Sequence, residues 1–118
     1  MDFFSMKIYL ISDNESRYKI GFSSNPKSRL KQLQTGGATV YDLLYEIECN
    51  HTTKVEKTLH RYYAQYRRHG EWFELIEEDV KNFPNMVKKI EGNLSMISST
   101  STLRKILMNV RYLLFVVL

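Results

Sequence analysis

At 118 residues and 14.0 kDa the chain has room for one folded domain and an appendage; a second independent core does not fit. With 43% hydrophobic and 25% charged residues the composition is globular, which excludes disorder throughout. No run reaches the ~20 apolar residues that span a bilayer, residues 1–4 carry no basic leader before an apolar stretch, and the single Cys49 cannot close an internal disulfide. An intracellular protein is expected, neither secreted nor transmembrane.

The net charge of +4 is unevenly laid out. Residues 3–80 hold eleven Lys/Arg against eleven Asp/Glu, yet the signs separate: 3–40 has six bases and two acids, 54–69 five and one, while 41–50 and 70–80 carry acids only. Two such basic segments can share one face. Residues 81–118 add six bases against Glu91 alone. A pI near 9.2 is compatible with an anionic partner and does not require one.

In chain order, residues 7–12 and 17–22 are β-prone runs around Asp13-Asn14-Glu15-Ser16, which is turn chemistry, so a hairpin is predicted. Asn25 as N-cap with Pro26 at N1 starts a short helix over 26–34, with Leu30 and Leu33 on its buried side and Thr35-Gly36-Gly37 as the stop. From Val40 to Cys49 the pattern alternates, with Tyr41, Leu43, Tyr45, Ile47 and Cys49 on one face, and a strand is predicted.

Thr53-x-x-Glu56 has capping-box spacing, and Val55, Leu59, Tyr62 and Tyr66 recur at helical intervals, which predicts a helix over 54–68 ending at Gly70. A second stripe, Glu56, His60, Tyr63 and Arg67, runs beside the apolar one and gives that helix a chemical edge. Residues 71–75 read as a short strand or extended anchor with Trp72 and Phe73 in the core, and residues 79–90 as a helix broken or kinked at Pro84. The expected division is a domain over 1–91, a Ser/Thr-rich linker over 92–102 and an apolar, helical tail over 103–118.

Ile8-Tyr9, Lys19-Ile20-Gly21, Asn25-Pro26-x-x-Arg29-Leu30 with Leu33-Gln34-Thr35-Gly36, Glu56-x-x-x-His60, and Arg67-Arg68 before Gly70-Glu71-Trp72-Phe73 occur in that order. Over about residues 6–80 the chain resembles the GIY-YIG endonuclease superfamily. The likeness is to its branch in phages, large DNA viruses and bacteria typified by meiotically up-regulated gene 113 and phage open reading frame 172 domains. It departs from the parent pattern at Lys7, where the first glycine would stand, at Lys19, in place of the second-strand tyrosine, and in offering no clear late asparagine.

The resemblance implies an α/β fold, a small three-stranded antiparallel sheet flanked by helices, and Mg²⁺- or Mn²⁺-dependent cleavage of DNA. On the matching positions it implies Tyr9 as the group that activates water or positions phosphate, Arg29 as the stabiliser of phosphate charge, Glu56 as metal ligand, and His60 as phosphate contact or proton carrier. Lys19 is expected on the same sheet face as Tyr9, where it would favour the phenolate. Lys27, Lys31, Tyr63 and Arg67 are the candidate nucleic-acid contacts. One carboxylate beside a substrate phosphate suits Mg²⁺, which retains waters, whereas zinc would want more nitrogen or sulfur ligands.

Local readings compete with these. Glu56 can be the capping partner of Thr53, Tyr9 a packed aromatic, and Arg29, Lys19 and His60 surface or satisfied groups. The expected function is a metal-dependent DNA endonuclease. The alternatives are a catalytically weak or inactive nucleic-acid-binding module of the same fold, or a small protein-interaction domain whose tail docks a second copy or a targeting partner.

Overall fold

The computed structural model describes residues 5–99. Strands β1 (Met6–Ser12) and β2 (Arg17–Ser23) form the predicted hairpin. Its turn is closed by Asp13, whose Oδ1 accepts from the backbone N–H groups of Glu15, Ser16 and Arg17 at 2.9–3.2 Å. Helix α1 (Pro26–Gln34) starts as its sequence dictates, with the Asn25 side chain accepting from the Ser28 N–H at 3.2 Å and Pro26 in the first turn. Strand β3 (Asp42–Cys49) shows strict half-buried alternation and pairs with β1, with a register shift between Leu10 and Ile11.

Helix α2 (Thr52–Tyr62) is shorter than the predicted 54–68. It gives way to a single 3-10 turn (Ala64–Tyr66), then to β4 (Arg67–His69) and β5 (Trp72–Glu74). These two strands join across Gly70-Glu71, where Gly70 takes a φ of +55° that an L side chain rarely adopts. The antiparallel sheet therefore has five strands rather than three, in the order β3-β1-β2-β5-β4.

Two further expectations at α2 are corrected. There is no Thr53–Glu56 capping box: His51 is the N-cap residue, and its side chain makes no cap bond to the helix. Instead Glu91 of α3 (Glu77–Ser99) accepts from the Asn50 and His51 N–H groups at 2.8 and 3.3 Å. The buried side of α2 is Thr52, Val55 and Leu59, followed by Tyr63, while Tyr62 is 56% exposed. The helix unwinds at Tyr63, so helical spacing no longer dictates which tyrosine turns inward.

One sheet face buries Ile8, Leu10, Ile20 and Phe73 against Val55, Leu59 and Tyr63 and against Leu75, Phe83 and Val87. Helix α3 runs on through Pro84, although proline removes a backbone donor there. Phe83 and Val87 on either side are fully buried, and that packing holds the helix to the core. α3 also continues over residues 92–99, in place of the expected linker, and Leu94 packs against the core. The rest of the linker stretch and the tail over 103–118 lie outside the described residues. No helix among the described residues is long and apolar enough to cross a membrane.

Candidate active site

Strand β5 pairs with β2 only along Arg17–Lys19. At the next residue the Glu71 carbonyl accepts the Ile20 N–H at 3.1 Å, and the Ile20 carbonyl lies 2.9 Å from His60 Nε2. A carbonyl only accepts, so His60 carries its proton on Nε2 and donates it there. The β4–β5 turn and α2 thus both converge on β2 at Ile20. Beyond that point Tyr9, opposite Gly21 in the register, lays its phenol across the glycine: a Cβ on Gly21 would lie 2.6 Å from Tyr9 Cζ.

Around that hydroxyl opens a cleft of about 480 Å³ whose lining includes Tyr9 from β1, Arg29 and Gln32 from α1, Glu56 from α2 and Glu71 from the β4–β5 turn. Arg29 Nη1 donates to Gln32 Oε1 at 3.0 Å. Burial pushes the Tyr9 hydroxyl above its ordinary pKa; Arg29 beside it works in the opposite direction, and the Glu71 and Glu56 carboxylates add to the rise. Burial also raises the Glu56 carboxyl, with Glu71 adding to it while His60, Lys19 and Lys57 oppose. Tyr9 is therefore a protonated donor at neutral pH, not a phenolate.

Lys19 does share the face of Tyr9, since Tyr9 pairs with Gly21 and Ile11 with Lys19. Its ammonium nevertheless goes to Glu71 Oε2 at 2.7 Å and stands 5.7 Å over the Trp72 ring. The cation beside Tyr9 is Arg29. Lys19 orients a carboxylate and leaves the phenol protonated, contrary to the expectation for this pair.

One ligand atom from each of Glu56, His60 and Glu71 can be chosen so that all lie within 4.8 Å of one another, and among the described residues no other such trio of metal-ligating side chains occurs. His60 is already engaged: its Nε2 proton is on Ile20 and its Nδ1 faces Arg67 Nη2 at 3.3 Å. What remains is the Glu56 carboxylate and, with Glu71 Oε2 held by Lys19, the other oxygen of Glu71, a hard oxygen set suited to Mg²⁺ or Mn²⁺ with waters completing the shell and poorly suited to zinc. With no capping bond on Glu56, its carboxylate is available to a cation. The residues present fit such an ion.

Of the residues singled out by sequence, Tyr9, Arg29 and Glu56 line one cleft, Lys19 reaches it through Glu71, and His60 adjoins it. Lys27 and Lys31 are exposed on α1, and neither lines that cleft. Arg67 is exposed and reaches His60 from a strand instead of a helix edge. Tyr63 is 1% exposed, with burial pushing its hydroxyl up to about 12, so it is a core residue and not a nucleic-acid contact. Glu71 is the member of the site that sequence reasoning misses. The available signal is Lys19, a lysine within a strand that needs a carboxylate when buried.

Residues 6–88 match the family model described as the T5orf172 domain. No curated protein and no solved structure matches the chain. The match begins with the first residue of β1 and ends inside α3, taking in every element that contributes to the cleft, and the chain thus belongs to the T5orf172 domain family, the phage open-reading-frame branch to which its motifs point.

Proposed function

We propose that the protein is a divalent-metal-dependent DNA endonuclease of the GIY-YIG type. The observation that carries this reading is the convergence in one cleft of a phenol, a guanidinium and two carboxylates from four separate elements. Hydrolysis of a phosphodiester needs in-line water, positive charge on the nonbridging oxygens and little else from the protein.

Glu56, with Glu71 beside it, would hold the cation, which when bound supplies Lewis-acid charge to the phosphate. Arg29 presents a fork of N–H donors to the same phosphate, and its bond to Gln32 holds the fork in place. Tyr9 donates its O–H to a phosphate oxygen and fixes its position; its raised pKa keeps that proton on the phenol. Lys19 positions Glu71, and His60 positions Arg67 while tying α2 to β2.

The test is conversion of supercoiled plasmid to nicked circles in Mg²⁺ or Mn²⁺, beside DNA binding measured in EDTA. Nicking that depends on the metal is expected. Binding without nicking in either metal would contradict catalysis and leave the non-catalytic DNA-binding module.

A further inference from the structure

We propose that a second cleft, walled by Lys57 and Arg61 of α2 and Arg67 of β4, seats a further phosphate of the DNA strand that the Glu56 cleft holds. This rests on reading the Glu56 cleft as a phosphodiester site. Lys57, His60 and Arg61 stand at i, i+3 and i+4 and so share one side of α2, and with Ala64 of the 3-10 turn and Arg67 of β4 they line a space of about 390 Å³. Among the described residues no carboxylate lines it.

The cations here stand apart by converging on one space, not by lacking a counter-ion, since Lys27, Lys31, Lys54, Lys88 and Lys89 also form no ion pair among the described residues. Lys7, Lys19, Arg68 and Lys81 are each matched to a glutamate, whereas Lys57, Arg61 and Arg67 form no ion pair among the described residues. Arg67 is oriented without being neutralised: Nη2 donates to His60 Nδ1 at 3.3 Å, and the guanidinium stands 5.7 Å over the Phe73 ring. A guanidinium fixed in this way has less rotamer freedom to lose on contacting an anion.

His60 joins the two clefts. Its ring lines the cationic space and also belongs to the group within 4.8 Å of Glu56 and Glu71, so the sites lie side by side with one imidazole between them. Phosphates on one DNA strand advance about 3.4 Å per nucleotide along the axis. A strand with one phosphate at Arg29 and Glu56 that continues past His60 presents a further phosphate to Lys57, Arg61 and Arg67.

The test uses the full chain, with Lys57→Ala/Arg61→Ala compared with Lys88→Ala/Lys89→Ala, which removes the same charge from α3. All four lysines and arginines are exposed, and thermal melting checks that both variants fold. Affinity for a fluorescent DNA duplex is measured in EDTA over a potassium chloride series. Each phosphate that the protein no longer neutralises flattens the log–log salt slope by about 0.9. The first variant is expected to flatten it by one or two such steps and the second to leave the wild-type slope.

Equal flattening in both variants, no change in the first, or a wild-type chain that does not bind duplex overturns the proposal. Nicking is scored separately in Mg²⁺. A chain that binds with the expected slopes and never nicks removes the catalytic reading and keeps the cationic phosphate seat.

Discussion

The phenol of Tyr9 occupies the space where a side chain at position 21 would begin. A Cβ on Gly21 would overlap the Tyr9 hydroxyl oxygen, stand 2.6 Å from Cζ and 3.2 Å from Cε1. Tyr9 is 2% exposed, so the ring has nowhere to retreat, and the glycine is what lets a residue of β1 extend its hydroxyl across the neighbouring β2 to the cleft. Gly21→Ala should destabilise the fold by about 1–3 kcal/mol through overpacking and displace the hydroxyl, lowering nicking as well. In a Tyr9→Ala background the same change should cost almost nothing. A thermal-melting double-mutant cycle measures this, and additive losses would show that the two residues are not in conflict.

Lys19 and Glu71 should move the acid limb of metal-dependent cleavage in opposite directions. Proton and cation compete for Glu56, whose pKa lies above its ordinary 4.5 because of burial, so activity is lost as pH falls through that raised value. Lys19 lowers this pKa and Glu71 raises it. Lys19→Met should therefore shift the limb to higher pH, and Glu71→Gln to lower pH. Rate–pH profiles in saturating Mn²⁺ give the answer; a shared direction would contradict the charge arrangement.

The start of α2 should depend on Glu91 and be indifferent to Thr53. Glu91 holds two backbone N–H groups and faces His51 Nδ1 at 3.2 Å. Glu91→Ala should cost about 1.5–3 kcal/mol, the range for hydrogen bonds to a charged group. Thr53 is exposed, and Thr53→Ala should stay within about 0.5 kcal/mol. Denaturant melts of both variants decide the matter. The reverse order would restore a local cap.

How legible each element is in the sequence follows from the range of the interactions that determine it. The turn at Asp13, the Asn25-Pro26 helix start and the alternation of β3 are local, and the structure has all of them. β5 falls within the stretch 71–75 that reads as a short strand, whereas β4 is hidden because a three-residue strand is too short to show a period, and Tyr66 and Arg67 continue the spacing of the helix before it. The false capping box has the same origin: Thr53 and Glu56 have suitable spacing, but the N–H groups at the helix start are taken by Glu91, forty residues away. In the site, Tyr9, Arg29 and Glu56 are recognisable as members of a motif. Glu71 is not, because its significance comes from Lys19 across the sheet and from Glu56 on another element.

The most direct measurement compares wild type with Glu56→Gln in three assays: plasmid nicking in Mg²⁺, Mn²⁺ binding followed by electron paramagnetic resonance, and melting temperature without metal. The raised pKa means that the ionised carboxylate is disfavoured in the folded chain. Its contribution to stability is present below the ordinary 4.5 and lost as pH rises through the raised value, so removing the charge should leave the neutral-pH melting temperature unchanged or higher. Nicking should fall on the order of a hundredfold or more and Mn²⁺ binding should weaken, while DNA binding in EDTA persists. A Glu56→Gln protein that binds Mn²⁺ and nicks plasmid like wild type would contradict the account.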